Sequence, residues 1–319
     1  MQTSLVTGGA GFIGSHLCEK LIQQGHKVVC IDNFDDFYDR SIKERNLENL
    51  NGQAHFTLAE GDIRDADLLE QLFSAYQFDL VVHLAAKAGV RPSIMDPLQY
   101  QDVNIRGTQH ILDSVKKHGV AKLLFASSSS VYGGNEKVPF AEPDEVNRPI
   151  SPYAATKRAG ELMCYTYHHL YNINVACLRF FTVYGPRQRP EMAIHKFTRL
   201  IHNGLELPAF GDGTSRRDYT YVDDIIQGIT SIAGSDFTYD IINLGESQTI
   251  ALKDLIATIG KKLDREPKIK WLPDQPGDVN ITYADISRAR NTYGYRPVTD
   301  VETGIGNFVD WYHSMVEAL

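Results

Sequence analysis

Over the first 180 residues, short apolar runs alternate with longer segments whose apolar positions recur at helical spacing. The runs predict strands at Ser4–Thr7, Val28–Ile31, Phe56–Ala59, Leu80–Leu84, Leu123–Ala126 and Val175–Phe180. The helical segments are Gly11–Gln24, Ala66–Tyr76, Gln101–His118 and Pro152–Leu170. Strands alternating with helices of this length imply βαβ units and a parallel sheet. Because such connections are right-handed, the expected outcome is an open, doubly wound α/β sheet. After about Gly185 the rhythm changes: proline and charge become denser, and helical patterns remain at Ile194–His202, Asp223–Ile232, Leu252–Leu263 and Val301–Val316. Residues 1–185 are therefore expected to form the main domain, and 186–319 mainly a smaller part laid over it, with some strand and helix returns. Asp223-Asp224-Ile225 reads as a helix start, with the aspartate as cap.

Composition narrows the class. The chain has 319 residues, 43% hydrophobic and 23% charged, which excludes a disordered chain, a collagen-like fibre and a coiled coil. No apolar run is long enough for a membrane span, and no charged-then-apolar leader precedes the first strand. The net charge of −8 argues against a general nucleic-acid binder, while leaving room for local cation clusters that take a small anion. Cys18, Cys30, Cys164 and Cys177 form no C-x-x-C pair, so a reducing cytoplasm and a packing role are expected for them. His168-His169 lacks a third ligand, and no metal is expected.

The first chemical signal is Gly8-Gly9-Ala10-Gly11-Phe12-Ile13-Gly14, between a strand and a helix. The first glycine permits a tight turn. The second lets backbone approach a pyrophosphate, and the third lets the helix pack against the strand with its N-terminus facing the anion. Asp32 closes the second strand, 18 residues after Gly14, near the spacing of the acid that binds a ribose 2′-OH. A carboxylate there repels a 2′-phosphate, so NAD is expected rather than NADP. Asp62 also ends a strand, and can either reach the adenine side or cap the next helix.

The second signal is Tyr153 and Lys157, four residues apart on one helix face. A phenol is a poor base at neutral pH, and a neighbouring ammonium is expected to favour phenolate. Ser127-Ser128-Ser129-Ser130 adds hydroxyls at the carboxyl edge of the sheet, where ligands of such folds bind.

Together with Leu84-Ala85-Ala86 and Val131-Tyr132-Gly133, these residues resemble the extended short-chain dehydrogenase/reductase family over nearly the whole chain. Within it the sequence is most similar to UDP-glucuronate 4-epimerases. The stretches that carry this are Ala88–Arg91 and, much more specific, Ser127–Gly133, Arg179-Phe180-Phe181-Thr182-Val183-Tyr184-Gly185-Pro186, Arg189–Ala193 and Arg217–Asp224.

The resemblance implies a Rossmann-type NAD-binding domain over 1–185 and a nucleotide-sugar-binding part over 186–319. It implies cofactor contacts from Gly8, Gly11, Phe12, Ile13, Gly14, Asp32, Asn33, Asp62, Ile63, Leu84, Ala85, Ala86, Asn104, Tyr153, Lys157 and Phe180. Tyr153 would be the catalytic base, Lys157 would hold the nicotinamide ribose and depress the Tyr153 pKa, and Ser128 would hydrogen-bond the sugar 4-OH. Arg91, Ser128, Ser129, Ser130, Tyr153, Thr182, Arg189, Met192, Ala193, Arg217 and Asp278 would contact a UDP-sugar. Arg187, Lys196 and Arg216 fall in or near these stretches and add positive charge. A cytoplasmic homodimer through the helices around 101–118 and 152–170 is the implied assembly. Tyr165, Tyr167 and Tyr171 would pack or meet a second subunit, and Trp311-Tyr312 would be core.

The implied reaction oxidises C4 of the sugar to a ketone and re-reduces it from the other face, with tightly held NAD regenerated in each cycle. Sister decarboxylases carry a glutamate two positions before the equivalent of Tyr132, and 4,6-dehydratases an Asp-Glu pair just before Val131; here these positions are Ser129 and Ser130. Serines transfer protons poorly at neutral pH but donate hydrogen bonds to a carboxylate. Thr182 replaces the asparagine of glucose-type 4-epimerases, and Gln275 stands where those enzymes have an arginine. The expectation is therefore 4-epimerisation of UDP-glucuronate to UDP-galacturonate without loss of CO₂. The alternatives are a 4-epimerase of UDP-glucose, UDP-N-acetylhexosamines or UDP-pentoses, and a non-catalytic NAD-sensing regulator of the same fold.

Overall fold

The computed structural model describes residues 1–273 and 279–317. The chain runs β1 (Thr3–Thr7), α1 (Phe12–Gln23), β2 (Lys27–Asp32), α2 (Arg40–Asn46), β3 (Phe56–Glu60), α3 (Ala66–Ala75) and β4 (Leu80–His83). It continues through α4 (Val90–Met95), α5 (Pro97–Gln101), a π-helical turn (Asp102–Arg106), α6 (Gly107–His118), β5 (Lys122–Ser128), α7 (Pro152–Tyr171) and β6 (Asn174–Phe180). The remaining elements are β7 (Thr182–Tyr184), α8 (Ala193–His202), β8 (Glu206–Phe210), β9 (Arg216–Arg217), β10 (Tyr219–Tyr221), α9 (Val222–Ala233), β11 (Tyr239–Leu244), β12 (Ile250–Ala251), α10 (Leu252–Lys262), β13 (Lys268–Leu272), α11 (Ser287–Tyr293) and α12 (Val301–Glu317).

Seven strands form one parallel sheet in the order β11-β6-β5-β4-β1-β2-β3. Its strands read as unbroken apolar runs because alternate residues enter two different cores. Val6, Val28, Cys30, Val82 and Leu124 face the cluster that includes α1, α9 and the C-terminal helices. Leu5, Val29, Ile31, Val81 and Leu123 face the cluster beneath α3, α6 and α7. All four cysteines are buried, free members of these cores. From β1 the chain winds outward to β2 and β3, then returns to β4 on the other side of β1. The crevice at the carboxyl ends of β1 and β4 is therefore the switch point, where ligands of open α/β sheets bind.

Three differences from the sequence reading have identifiable causes. The seventh strand, β11, is broken in pattern by Asp240 and Asn243, so its run did not register as a strand. Both polar residues are claimed by tertiary partners: Asp240 accepts from Tyr293 Oη at 2.7 Å, and Asn243 Oδ1 from Tyr132 Oη at 2.7 Å. The helix expected over 101–118 is divided by the π-turn. The expected cap of α9 is not a cap: Tyr221 occupies that position, and the Asp224 carboxylate accepts from Val298 N (3.0 Å) and Thr299 N (3.1 Å), tying the C-terminal segment to this helix. Tyr312 is buried in the core and Trp311 packs against it. Among the described residues, no helix is long and apolar enough to cross a membrane.

Candidate active site

The glycine loop closes the end of β1. Gly8 has φ +72°, and a Cβ on it would stand 2.9 Å from the Ala85 backbone. A Cβ on Gly14 would stand 2.2 Å from Gly8 O, so only glycine lets α1 seat this closely on the strand. Gly11 caps α1 without a side-chain bond, and no acid occupies the first turn. The leading N–H groups and the positive end of the helix therefore face the crevice. Asp32 receives Ala10 N at 3.0 Å and Phe34 N at 2.9 Å. Burial pushes its carboxyl up, while these bonds and the Lys43 charge oppose the shift. A glycine cradle, an uncapped helix start and an acid at the next strand end are the donor set that a dinucleotide with a free ribose 2′-OH requires, and the residues fit NAD.

One cleft of about 410 Å³ joins this loop to the serine strand and α7. Gly8, Gly11, Phe12, Ile13, Gly14, Asp32, Asn33, Asp62, Ile63, Leu84, Ala85, Ala86 and Phe180 all line it. Asp62 is not a cap; Asp65 caps α3 by accepting from Leu68 N. Asp62 instead accepts from Asn33 Nδ2 (2.8 Å) and pairs with Arg64 (2.7 Å), which holds its carboxyl down at about 2. Asn104 does not line the cleft. It supports the wall from behind, accepting from Lys87 N at 2.8 Å and donating to Lys87 O at 2.9 Å and Thr156 Oγ1 at 3.0 Å.

Tyr153 and Lys157 open the far wall, with Ser128, Ser129, Ser130 and Thr182 in the same cleft. Ser151 caps α7 by accepting from Ala154 N, and Pro152 follows at the first helical position, so the helix starts one residue before the tyrosine. Ser128 Oγ accepts from Ser130 N at 3.1 Å and folds the next residues into a 3₁₀ turn. Ser127, also on the cleft wall, donates to Glu161 Oε1 at 2.6 Å.

Lys157 is buried and Tyr153 half-buried, and each has its own hydrogen-bond partner. Lys157 Nζ donates to Ala126 O at 2.6 Å and lies 6.0 Å from the Tyr153 ring centre. Burial pulls its ammonium down to about 8. Burial pushes the Tyr153 phenol up, opposed by the hydrogen bond with Ser128 and the charge of Arg189.

The predicted cations divide. Arg189 and Met192 line the main cleft, whereas Arg91, Ala193, Lys196 and Arg217 line an adjoining cavity of about 230 Å³ with Phe210 and Tyr219. The Arg91 guanidinium lies 4.8 Å from the Phe210 ring centre. Arg187 belongs to neither cavity; it pairs with Glu19 on α1 at 2.7 Å. Arg216 is taken by Thr249, through Oγ1 at 2.8 Å and the carbonyl oxygen at 2.6 Å. Asp278 and Gln275 lie outside the described residues.

Sequence reading missed the loop after β2. Asp35, Phe37, Tyr38 and Lys43 all line the cleft. Asp35 pairs with Lys87 at 2.8 Å, and Lys87 and Arg189 both approach the Phe37 ring, 5.8 and 5.6 Å from its centre. It also missed a buried pair behind the serine strand: Glu161 Oε1 accepts from Arg179 Nε at 2.8 Å and Oε2 from Arg179 Nη2 at 3.0 Å. The available signal was Glu161 itself, one further helical turn along the Tyr153–Lys157 face.

The family described as GDP-mannose 4,6 dehydratase matches residues 5–308. A UDP-glucuronate 4-epimerase of Thermodesulfobacterium geofontis is 40% identical over 99% of this chain and 97% of its own. A UDP-glucuronic acid 4-epimerase of Bacillus cereus, solved with UDP-glucuronic acid and NAD, superposes with TM-score 0.93 at 36% identity, covering 98% of this chain and all of that one. A UDP-glucose 4-epimerase of Thermotoga maritima, solved with UDP-glucose, gives TM-score 0.91 at 31% identity over 99% of this chain and all of that one. The chain belongs to the GDP-mannose 4,6-dehydratase family of extended short-chain dehydrogenase/reductases.

Proposed function

We propose that this family member is an NAD-dependent 4-epimerase of UDP-sugars, acting on UDP-glucuronate to give UDP-galacturonate. The observation that carries the reading is the single cleft in which the glycine loop, Tyr153 and a carboxyl-free row of hydroxyls meet. Relatives that act on UDP-glucuronate, at 40% identity along nearly the whole chain, support it. NAD, when bound, supplies the acceptor and then the donor of hydride at C4. The chain's own residues handle the proton: Tyr153 takes it from the sugar 4-OH, keeps it beside Ser128 while the 4-ketone exists, and returns it.

Substrate choice follows from the hydroxyls. A 4-keto uronate is a β-keto acid and loses CO₂ unless its carboxylate is held in an unfavourable rotamer. Ser129, Ser130 and Thr182 line the cleft with Tyr153, and can donate charge-assisted hydrogen bonds to that carboxylate. No carboxyl side chain stands at positions 129 and 130 to pass a proton to the sugar carbon. The second cavity, with Arg91, Lys196 and Arg217, suits the diphosphate and base. In the same reading the dimer forms through α6 and α7, where Leu162 and Tyr165 are about half exposed, and four buried thiols suit a reducing cytoplasm.

The test is incubation of the purified protein with UDP-glucuronate, without added cofactor, followed by proton NMR. UDP-galacturonate as sole product supports the reading. A UDP-pentose would remove the protective role of the hydroxyls. Conversion of UDP-glucose or a UDP-N-acetylhexosamine alone would move the substrate to those sugars, and no turnover with any sugar would favour an NAD-sensing regulator.

A further inference from the structure

His83, the last residue of β4, is fully enclosed and has no part in the chemistry described above. Its two ring nitrogens link β1 to α6 behind the cleft. Nδ1 is 2.7 Å from Thr7 Oγ1, and Nε2 is 3.0 Å from Thr108 Oγ1. The tautomer follows from counting hydrogens. Thr108 has one hydroxyl hydrogen and donates it to Asn104 O at 2.6 Å, so towards His83 it can only accept, and Nε2 carries the proton. Bare Nδ1 then accepts from the Thr7 hydroxyl, which itself accepts from Ala85 N at 3.0 Å.

All donors point one way along this chain: Ala85 N–H to Thr7, Thr7 O–H to His83, His83 Nε2–H to Thr108, and Thr108 O–H to Asn104 O. Beyond it, Asn104 Nδ2 donates to Thr156 Oγ1, and Thr156 donates to Tyr153 O at 2.8 Å. One end is the residue against which Gly8 packs; the other is the backbone of the phenol-bearing residue. A charged imidazolium would break the order, because Thr7 would lose the acceptor for its own hydrogen. It would also face the Lys157 ammonium across Phe125, whose ring centre is 5.9 Å from the His83 ring and 5.3 Å from Lys157 Nζ.

We propose that His83 is a positioning residue, a neutral Nε2–H imidazole that sets the spacing between the dinucleotide loop and Tyr153. The inference rests on the reading of Tyr153 as the proton-transfer group.

The test is His83→Phe, which keeps ring volume and removes both links, with Thr108→Val as a milder cut on the Tyr153 side. His83→Phe is expected to lower kcat on the order of 10²-fold, as an ångström-scale misplacement does. The KM for UDP-sugar should stay within about two-fold, the Kd for NAD measured by calorimetry should rise about ten-fold, and the acid limb of the pH profile should move. Thr108→Val should lower kcat in the same direction, and the double variant should be no worse than His83→Phe alone. In ¹⁵N-histidine NMR, His83 should show protonated Nε2 from about pH 5 to pH 9. Wild-type kcat, NAD affinity and acid limb in His83→Phe, with only a lower melting temperature, would overturn the proposal. So would wild-type kcat in Thr108→Val if His83→Phe does not fold, or a His83 that titrates in that range. Turnover surviving Tyr153→Phe would instead remove the reading beneath it.

Discussion

Lys157 Nζ stands 6.0 Å from the Tyr153 ring centre and spends its shortest hydrogen bond, 2.6 Å, on Ala126 O. Ser128 and Arg189 oppose the upward push of burial on the Tyr153 phenol. Removing either raises the Tyr153 pKa, so the acid limb of kcat/KM moves to higher pH. Ser128→Ala should show that shift and lose about 10–100-fold in kcat, whereas Tyr153→Phe should lose about 10²–10⁴-fold at every pH. A pH–rate profile of the three proteins checks it.

Arg179 and Glu161 are both buried, in bidentate contact behind Ser127. Truncating Arg179 takes the bidentate partner from the buried Glu161 carboxylate, which keeps only Arg158 Nη1 at 3.0 Å and the Ser127 hydroxyl. Arg179→Met should cost about 3–5 kcal/mol of unfolding free energy, read from urea titration, and more than the double change Arg179→Met with Glu161→Gln.

Glu246 is buried, and its Oε2 has no hydrogen-bond partner among the described residues. Burial, then Asp224, Asp218 and Asp300, push its carboxyl up to about 8. A raised carboxyl binds a proton in the folded state that the unfolded chain has released. Its burden on stability is therefore absent below the ordinary glutamate range and grows as pH rises towards 8. Glu246→Gln should raise the melting temperature by a few degrees near pH 8.5 and leave it unchanged near pH 4, seen by thermal scans at the two pH values.

Ser129, Ser130 and Thr182 share the cleft with Tyr153. Replacing all three by alanine should weaken kcat/KM for UDP-glucuronate by about 10²-fold or more, with far less effect on any residual UDP-glucose turnover. Equal losses for both substrates would refute the hydroxyl cradle.

Legibility in the sequence followed the range of the interaction. The glycine spacing, Asp32 and the Tyr153–Lys157 step are local consequences of turn and helix geometry, and the structure brings all of them to one crevice. β11 was hidden because Asp240 and Asn243 break its apolar run for partners far along the chain. His83 reads as one polar letter at the end of a buried strand, and its meaning lies in Thr7 and Thr108 on other elements. Phe37 and Lys43 sit in a loop and a short helix whose placement over the cleft depends on Asp35, Lys87 and Arg189. The bond from Lys157 to Ala126 O was not legible, because its acceptor is a backbone atom of a neighbouring strand.

The most direct measurement is the fate of the C4 hydrogen. UDP-glucuronate labelled with deuterium at C4 is converted by the purified protein in ordinary water and the product read by NMR. UDP-galacturonate that keeps its deuterium at C4, with no UDP-pentose, is the predicted result. Deuterium lost to solvent, or a UDP-pentose product, would contradict oxidation and return at one carbon with the carboxylate protected.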